Sequence, residues 1–469
     1  MIENDRNLGE KCGVFGIYGP GLDVSRLTFF GLALLQHRGQ ESSGIAVTDG
    51  TEIDCHKDEG LVNKVYNERI IKSMRGFAAI GHNRYSTSGG SFAHHAQPIV
   101  VNNQIALAHN GNLPSVTALT NFLKEAGQDT SGCSDSELMA LAVSHQLNSG
   151  KSFPEAIQAV WPLFTGAFSV TGLTKKSLFA FRDHCGIRPL VIGKVDQAYV
   201  VASETCAFNI IGAKFVREVV PGELVIINSQ GLHSFQIQKP DPKVDIFEFV
   251  YFARPDSVIN GKSVYAVRSN SGIELAKEFP LDVDLVVPVP ETAIPTATSY
   301  ARALNLPFEM ALVKNRYVHR TFIQPDEHTR SLGVRMKLSP LPDLLVGKKV
   351  AIIDDSIVRG TTSKELVKAL FEAGSKEVHM LVSSPPVKFP DFYGIDTPSS
   401  KKLIAVGRTV EEVRQHIGAT SLNYLSLQGL IKATGLEESE LCLSCFTGDY
   451  PIDLHERMAD IIQIKAAVK

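Results

Sequence analysis

The chain has 469 residues, 44% of them hydrophobic and 21% charged, with a net charge of −3; that length divides into two or three domains, each able to bury a full core. The balanced charge gives no basis for a nucleic-acid or membrane partner, and no apolar run approaches the roughly 20 residues of a spanning helix. Seven scattered cysteines and a polar opening, MIENDRNLGEK, with no hydrophobic secretory segment, are those expected of a reduced, cytoplasmic protein.

In chain order, Cys12 opens a strand-like run, CGVFGIYG. A cysteine beside a buried strand is, by itself, more often core than catalyst. Through residue 240, short apolar runs (IGHNRYST, QIALAHNG, AFSVTGL, SLFAFRD, LVIGKV, AYVVASE, ELVIIN) read as strands separated by Gly- and Asn-marked turns. Helical periodicity is expected over 113–125 and 135–148. Asn110-Gly111 reads as a hairpin turn, and Cys55, Cys133, Cys185 and Cys206 as packing residues. QKPDPKVD, 238–245, reads as a linker. From Phe247 to 430 apolar strands alternate with helices (DLVVPVP, TATSYARAL, VAIIDD, SKELVKALFEAG, EVHMLVSSPP), the pattern of a parallel sheet flanked by helices. The tail, 431–469, reads as helical and partly charged. GKS at 261–263 is no nucleotide P-loop, because Asp256 stands where the first glycine would be.

The most informative segment is AIIDDSIVRGTTS, 351–363. A buried strand ends in two adjacent carboxylates, followed by a hydroxyl-rich loop and a helix expected to start near Ser363. Successive amides at such a junction form an anion nest, and the helix adds its positive end. Asp354 and Asp355 cannot hold a phosphate themselves. They suit ribose hydroxyls or Mg²⁺, a hard cation that prefers oxygen. Ligands of parallel sheets bind at the carboxyl ends of strands, where both residues fall.

This segment resembles the phosphoribosyl-pyrophosphate (PRPP) motif of type I phosphoribosyltransferases. LQHRGQESSGIA (35–46), GHNRYSTSG (81–89), LAHNGNL (107–113) and CSDSE (133–137) follow Cys12 in the order of class II, N-terminal-nucleophile glutamine amidotransferases. Together, from Cys12 to about Tyr450, the chain resembles the amidophosphoribosyltransferase family. The resemblance implies an αββα glutaminase sandwich of the Ntn-hydrolase type over 12–240, and a parallel-sheet phosphoribosyltransferase domain over 245–430. Residues 1–11 are then a propeptide whose removal frees the α-amine of Cys12 as a base, a group that titrates at roughly 7.7–8.0 when unperturbed. Cys12 is implied as nucleophile, with Asn110 and Gly111 as oxyanion donors. Arg84 and Thr87 would hold the α-carboxylate of glutamine, and Asp135 its α-amino group. His37 and His109 are expected to be structural.

In the second half the resemblance assigns Ser356, Val358, Arg359, Gly360, Thr361 and Thr362 to the phosphate cradle. Asp354 and Asp355 fall to ribose and Mg²⁺, and Thr292, in PVPET, to the metal. KNRYVHRTFIQP resembles a loop that closes over PRPP, with Lys314, Arg316 and Arg320 facing pyrophosphate and His319 at a position where Gly is expected. Arg335 and Lys337 are further candidate anion contacts. Some members carry an iron–sulfur cluster on four cysteines. Here Cys442 and Cys445 match two positions, but Asp245 and Asp391 stand at the others. Carboxylates replace thiolates poorly there, so no cluster is expected, and a cysteine pair does not complete a zinc site. The family also implies glutamine and PRPP as substrates, purine nucleotides as feedback inhibitors and a homotetramer. Two other readings are a PRPP-sensing regulator, which needs a DNA-binding element not evident here, and a glutaminase with a different acceptor, which has no use for the 351–363 motif.

Overall fold

The computed structural model describes residues 12–84, 95–315, 338–394 and 402–468. The expected propeptide, Thr87, Arg316, His319, Arg320, Arg335 and Lys337 lie outside the described residues.

The first half builds two antiparallel sheets. Their strands are β1 (Gly13–Tyr18), β2 (Ser42–Thr48), β3 (Ile53–Glu59), β4 (Ala78–Arg84), β5 (Ile99–Val101), β6 (Ile105–Asn112), β7 (Ala167–Thr174), β8 (Leu178–Arg182), β9 (Val191–Val195), β10 (Ala198–Ala202), β11 (Lys214–Glu218), β12 (Glu223–Asn228) and β13 (Gly231–Gln236). One sheet runs β11-β9-β10-β1-β4-β2-β3 and the other β13-β12-β8-β7-β6-β5. Strand alternation divides the side chains between layers. Val14 and Ile80 point inward and meet Ala106, Ala108 and Leu178 of the second sheet. Phe15 and Ile17 point outward under the helix Val24–Leu34. The outer face of the second sheet, through Leu107, Val170 and Phe179, packs on Leu119, Leu138, Val143 and Ile157 of three helices. The result is a four-layer αββα stack. Both faces of these sheets are covered, which is why β1 is buried throughout and reads as a continuous apolar run.

The second half holds a four-stranded parallel sheet in the order Leu285–Pro288, Lys349–Asp354, Glu377–Val382, Ser421–Tyr424. Val286, Ala351 and Ile353 pack on the helices Val264–Glu278 and Ile294–Leu304. Val287, Val350 and Ile352 pack on Thr361–Glu372 and Val410–Ile417. The doubly covered parallel sheet is the arrangement the alternation predicts. Its last strand was not anticipated, because SLNY is short and half polar.

Four expectations need correction. The helix expected over 113–125 begins only at Thr117, since Pro114 follows a Leu113 whose N–H is turned aside to the Asp135 carboxylate. The helix after the acidic pair starts at Thr361, two residues early, because Gly360 adopts a left-handed φ of +79° and ends the loop there. The segment 238–245 does not end as a free linker: Val244–Asp245 pairs in parallel with Leu441–Cys442 of the tail. The tail accordingly includes a strand as well as helices, and Ile452, Leu454, Ile461 and Ile464 share one core cluster with Ala167 and Ile187 of the first half. The cysteines expected to pack do so: Cys185 and Cys206 are buried, and the half-buried Cys55 and Cys133 pack against core clusters.

Candidate functional sites

Cys12 is half-buried at the start of β1. The register that pairs Gly13 with Asn83 sets Cys12 level with Arg84, the last residue of β4. β1 is anchored by Ser203, whose hydroxyl accepts the Val14 N–H at 2.9 Å. In the facing sheet, β6 ends in Asn110-Gly111-Asn112. Gly111 has a φ of +149°, and a Cβ there would overlap the Ala167 carbonyl oxygen, so only glycine fits. Asn110 is 1% exposed, yet among the described residues its Nδ2 has no hydrogen-bond partner. A buried amide donor left open costs roughly 1–3 kcal/mol, a cost that is recovered when a ligand oxygen accepts from it.

Asn110-Gly111, expected as a hairpin turn, instead lies inside β6 and pairs with Ser169 and Phe168 of β7, because the chain stays extended through Asn112. A polar network fixes this strand end. The Asp135 carboxylate accepts the Leu113 N–H at 3.1 Å and the Ser136 N–H at 2.7 Å. Gln97 accepts the His109 N–H at 2.7 Å and donates to Ser136 Oγ at 3.0 Å. His109 lies 3.2 Å from Ser136 Oγ and 3.3 Å from the Ala167 carbonyl, so its ring is used for positioning. Asp135 opens a helix whose N-cap, Ser134, forms a capping box with Glu137. His37 is likewise held, 2.7 Å from Glu204. The structure therefore joins Asp135 to the segment that follows Asn110-Gly111 at the end of β6, a link that sequence spacing gives no sign of. His82 lies beneath, fully buried, with Nε2 3.1 Å from the His109 carbonyl. Burial pushes its pKa down to about 3, and the ring is neutral.

In the second half, Asp354 ends its strand and Asp355 follows; both are buried. Burial raises the pKa of each, and the neighbouring Asp355 charge raises Asp354 further. Thr292 Oγ1 donates to Asp355 Oδ2, and Ser356 Oγ donates to Oδ1 at 2.7 Å. Thr292 thus meets the acidic pair as its motif implies. Arg268, unnoticed in the sequence, is buried and held by the Phe249 and Ala253 carbonyls at 2.8 Å; its charge works against the rise at Asp355. The loop from Ser356 to Gly360 is seated on Ile404, whose N–H donates to the Val358 carbonyl at 2.8 Å. A Cβ on Gly360 would overlap Ile404 Cδ1. Thr361 and Thr362 then open a 12-residue helix with their N–H groups facing out of its first turn. Lys314 stands apart, 3.8 Å from Glu291, at the rim of a cavity of about 600 Å³ that Pro255, Tyr265, Pro290 and Met310 also line.

No group of three or more metal-ligating His, Cys, Asp or Glu side chains occurs among the described residues. The oxygens of Asp354, Asp355 and Thr292 nonetheless fit a hard cation. Mg²⁺ characteristically takes one or two carboxylates plus water and substrate phosphate, and a cation is what a buried acidic pair requires to ionise. An iron–sulfur cluster does not fit its four family positions. The Arg188 guanidinium lies between Asp245 and Asp391, at 2.5 and 3.2 Å. Burial also pushes Cys442 up to about 12 and Cys445 well upward, which opposes the thiolate form that ligation needs.

Residues 82–209 match the family of glutamine amidotransferase domains, and 260–386 that of phosphoribosyl transferase domains. The chain is 48% identical over 457 residues to the amidophosphoribosyltransferase of Synechococcus elongatus, covering 96% of this chain and 93% of the other. It is 43% identical over 466 residues to that of Bacillus subtilis, covering 97% of each. Among solved structures, glutamine PRPP amidotransferase from B. subtilis complexed with ADP and GMP is similar at a TM-score of 0.88 and 43% identity, over 94% of this chain and 98% of that one. A structure described as the allosteric regulatory enzyme of purine biosynthesis gives 0.89 and 44%, over 94% and 97%.

Proposed function

The chain belongs to the amidophosphoribosyltransferase family, and on that premise we propose that glutamine is hydrolysed at Cys12 and the ammonia transferred to C1 of PRPP. The products are 5-phosphoribosylamine, pyrophosphate and glutamate, the committed step of purine synthesis. Family membership in both domains leaves no room for the regulator or the alternative-acceptor readings.

The observation that carries the proposal is the open, buried amide of Asn110 beside Gly111, in the same chain as the acidic pair and helix N-terminus at 354–362. In the first half-reaction the Cys12 sulfur attacks the side-chain amide carbon of glutamine. Asn110 Nδ2 and the Gly111 N–H stabilise the oxyanion, ammonia leaves, and water cleaves the thioester. With residues 1–11 removed, the α-amine of Cys12 carries the proton. Arg84 and Thr87 take the α-carboxylate and Asp135 the α-amino group; the helix N-cap next to Asp135 supports that position.

In the second half-reaction the backbone amides from Ser356 through Thr362, with the side chains of Arg359, Thr361 and Thr362, hold the 5-phosphate. Asp354 and Asp355 orient the ribose hydroxyls, and Thr292 fixes Asp355 through their hydrogen bond. Asp354, Asp355 and Thr292 would hold Mg²⁺, which would supply charge neutralisation for the departing pyrophosphate. Lys314, Arg316 and Arg320 add cations from the closing loop, and exclusion of water protects the donor. Passage of ammonia inside the protein keeps it unprotonated. The division near residue 240, action in the cytoplasm and a homotetrameric assembly complete the reading. Feedback by purine nucleotides is supported by the ADP and GMP bound to the B. subtilis relative.

The test measures pyrophosphate release from PRPP and Mg²⁺ with glutamine or ammonia as the nitrogen source. Wild type should use both and Cys12→Ala only ammonia. Absence of PRPP consumption with ammonia in both proteins would overturn the transferase assignment.

A further inference from the structure

The Asn110-Gly111 strand end is held from outside its own domain. Asn112, two residues beyond Asn110, donates through Nδ2 to the Phe392 carbonyl at 2.8 Å. Gly394 meets Gly111 backbone to backbone: a Cβ on Gly394 would lie 2.9–3.0 Å from the Gly111 carbonyl and Cα. The intervening Tyr393 is fully buried, its hydroxyl shared between the Ile452 carbonyl (2.5 Å) and N–H (2.9 Å). Its own N–H donates to Asp391 at 2.7 Å. The segment 391–394 is therefore a rigid strut whose end rests on the residue that presents an oxyanion donor.

Arg188 closes the circuit. Its Nε donates to the Tyr393 carbonyl at 2.9 Å, and its Nη atoms lie 2.5 Å from Asp245 and 3.2 Å from Asp391. Its carbonyl accepts from Ser169 Oγ at 2.9 Å, and Ser169 is the ladder partner of Asn110. Hence a continuous path runs from Asn110 across the ladder to Ser169, through Arg188 to residues 391–393, and back through Asn112 to the end of β6. A guanidinium fork suits this task, because it fixes several oxygens in one plane.

We propose that the Asp391–Gly394 strut, clamped by Arg188, is a positioning element for the glutaminase oxyanion donors at the end of β6, with Asn112 and Gly394 as its points of application. The inference rests on the function proposed above. It places part of the machinery for glutamine hydrolysis in the phosphoribosyltransferase half.

Three variants of the full-length enzyme test it: Asn112→Ala, Asn112→Asp, which keeps the shape but loses the donor, and Gly394→Ala. Oxyanion stabilisation is sensitive to displacements of about 1 Å, so kcat with glutamine should fall about 10- to 100-fold in each. KM for glutamine and ammonia-dependent activity should stay within about twofold. Alkylation of Cys12 by iodoacetamide is a direct displacement that develops no oxyanion, and its rate should not change. A merely structural defect would slow alkylation and ammonia use along with hydrolysis. Unchanged glutamine kcat in all three variants, or parallel loss in every readout, overturns the strut. Should wild type itself fail to use glutamine, the underlying assignment of Cys12 fails instead, so the two outcomes are distinguishable.

Discussion

The two functional regions solve opposite problems. At the end of β6 the functional groups are neutral and fixed by backbone: Gly111 has room for no side chain, and Asn110 is buried with its donor open. At the end of the strand Lys349–Asp354 the functional groups are acidic, paired and pushed toward protonation by burial. On the proposed function the first is complete before substrate arrives, because an oxyanion hole works by not reorganising. The second, on the same reading, is completed by a cation and a sugar phosphate, which favour the ionised carboxylates. The difference teaches that one chain can keep a site rigid where charge develops transiently and leave it electrostatically unfinished where a charged substrate must be captured.

The contrast breaks most visibly at Asp355. Asp355→Ala should remove activity with both nitrogen sources, by about 10³-fold or more if the carboxylate supplies several kcal/mol at the transition state. A variant that loses only glutamine-dependent turnover would place Asp355 outside the transferase site. Asn110→Ala sharpens the other side. It should lower glutamine-dependent kcat about 10²- to 10³-fold and leave ammonia-dependent pyrophosphate release intact; equal loss in both would tie Asn110 to the transferase step.

The smallest effect concerns what supports the rigid site. His82 is buried neutral, with a pKa near 3 in the fold against about 6.5 unfolded. The unfolded chain therefore binds more protons between those values, so stability falls as pH drops from 6.5 toward 3. The contribution at pH 5 is about 2 kcal/mol. His82→Asn should narrow the difference in urea stability between pH 7.5 and pH 5 by that amount. An undiminished acid slope would assign the sensitivity to other groups.

Much of both candidate sites was legible in the sequence as short-range pattern. The strand–acid–loop–helix order at 351–363 is local and is found as read, whereas Asn110-Gly111, read as a hairpin turn, continues β6 because its pairing with β7 comes from more than fifty residues away. The boundary errors have local causes as well: Gly360 ends its loop by taking a left-handed φ, and Leu113 spends its N–H on Asp135. What failed was long-range. Arg38 and Arg188 are ordinary in composition, yet Arg38 lies fully buried between Glu204 and Glu248, and Arg188 between Asp245 and Asp391. Reading Asp245 and Asp391 against the family's cysteine positions gave no sign that both carboxylates pair with Arg188. Breaking such a buried ion pair by removing one partner typically costs about 3–5 kcal/mol, which makes these arginines strong constraints that no periodicity reveals.

The sequence by itself determined the two-part architecture and the family, and singled out Cys12, Asn110-Gly111 and the 351–363 loop as candidates, because strand and helix periods, glycine sites and contiguous motifs are carried by neighbouring residues. Tertiary structure alone decided that residues 391–394 reach across to Gly111, that Val244–Asp245 pairs with Leu441–Cys442, and that Arg268 stands by the acidic pair. Those contacts join segments tens to hundreds of residues apart. They are set by which buried charges and bare backbones can satisfy one another once the layers close.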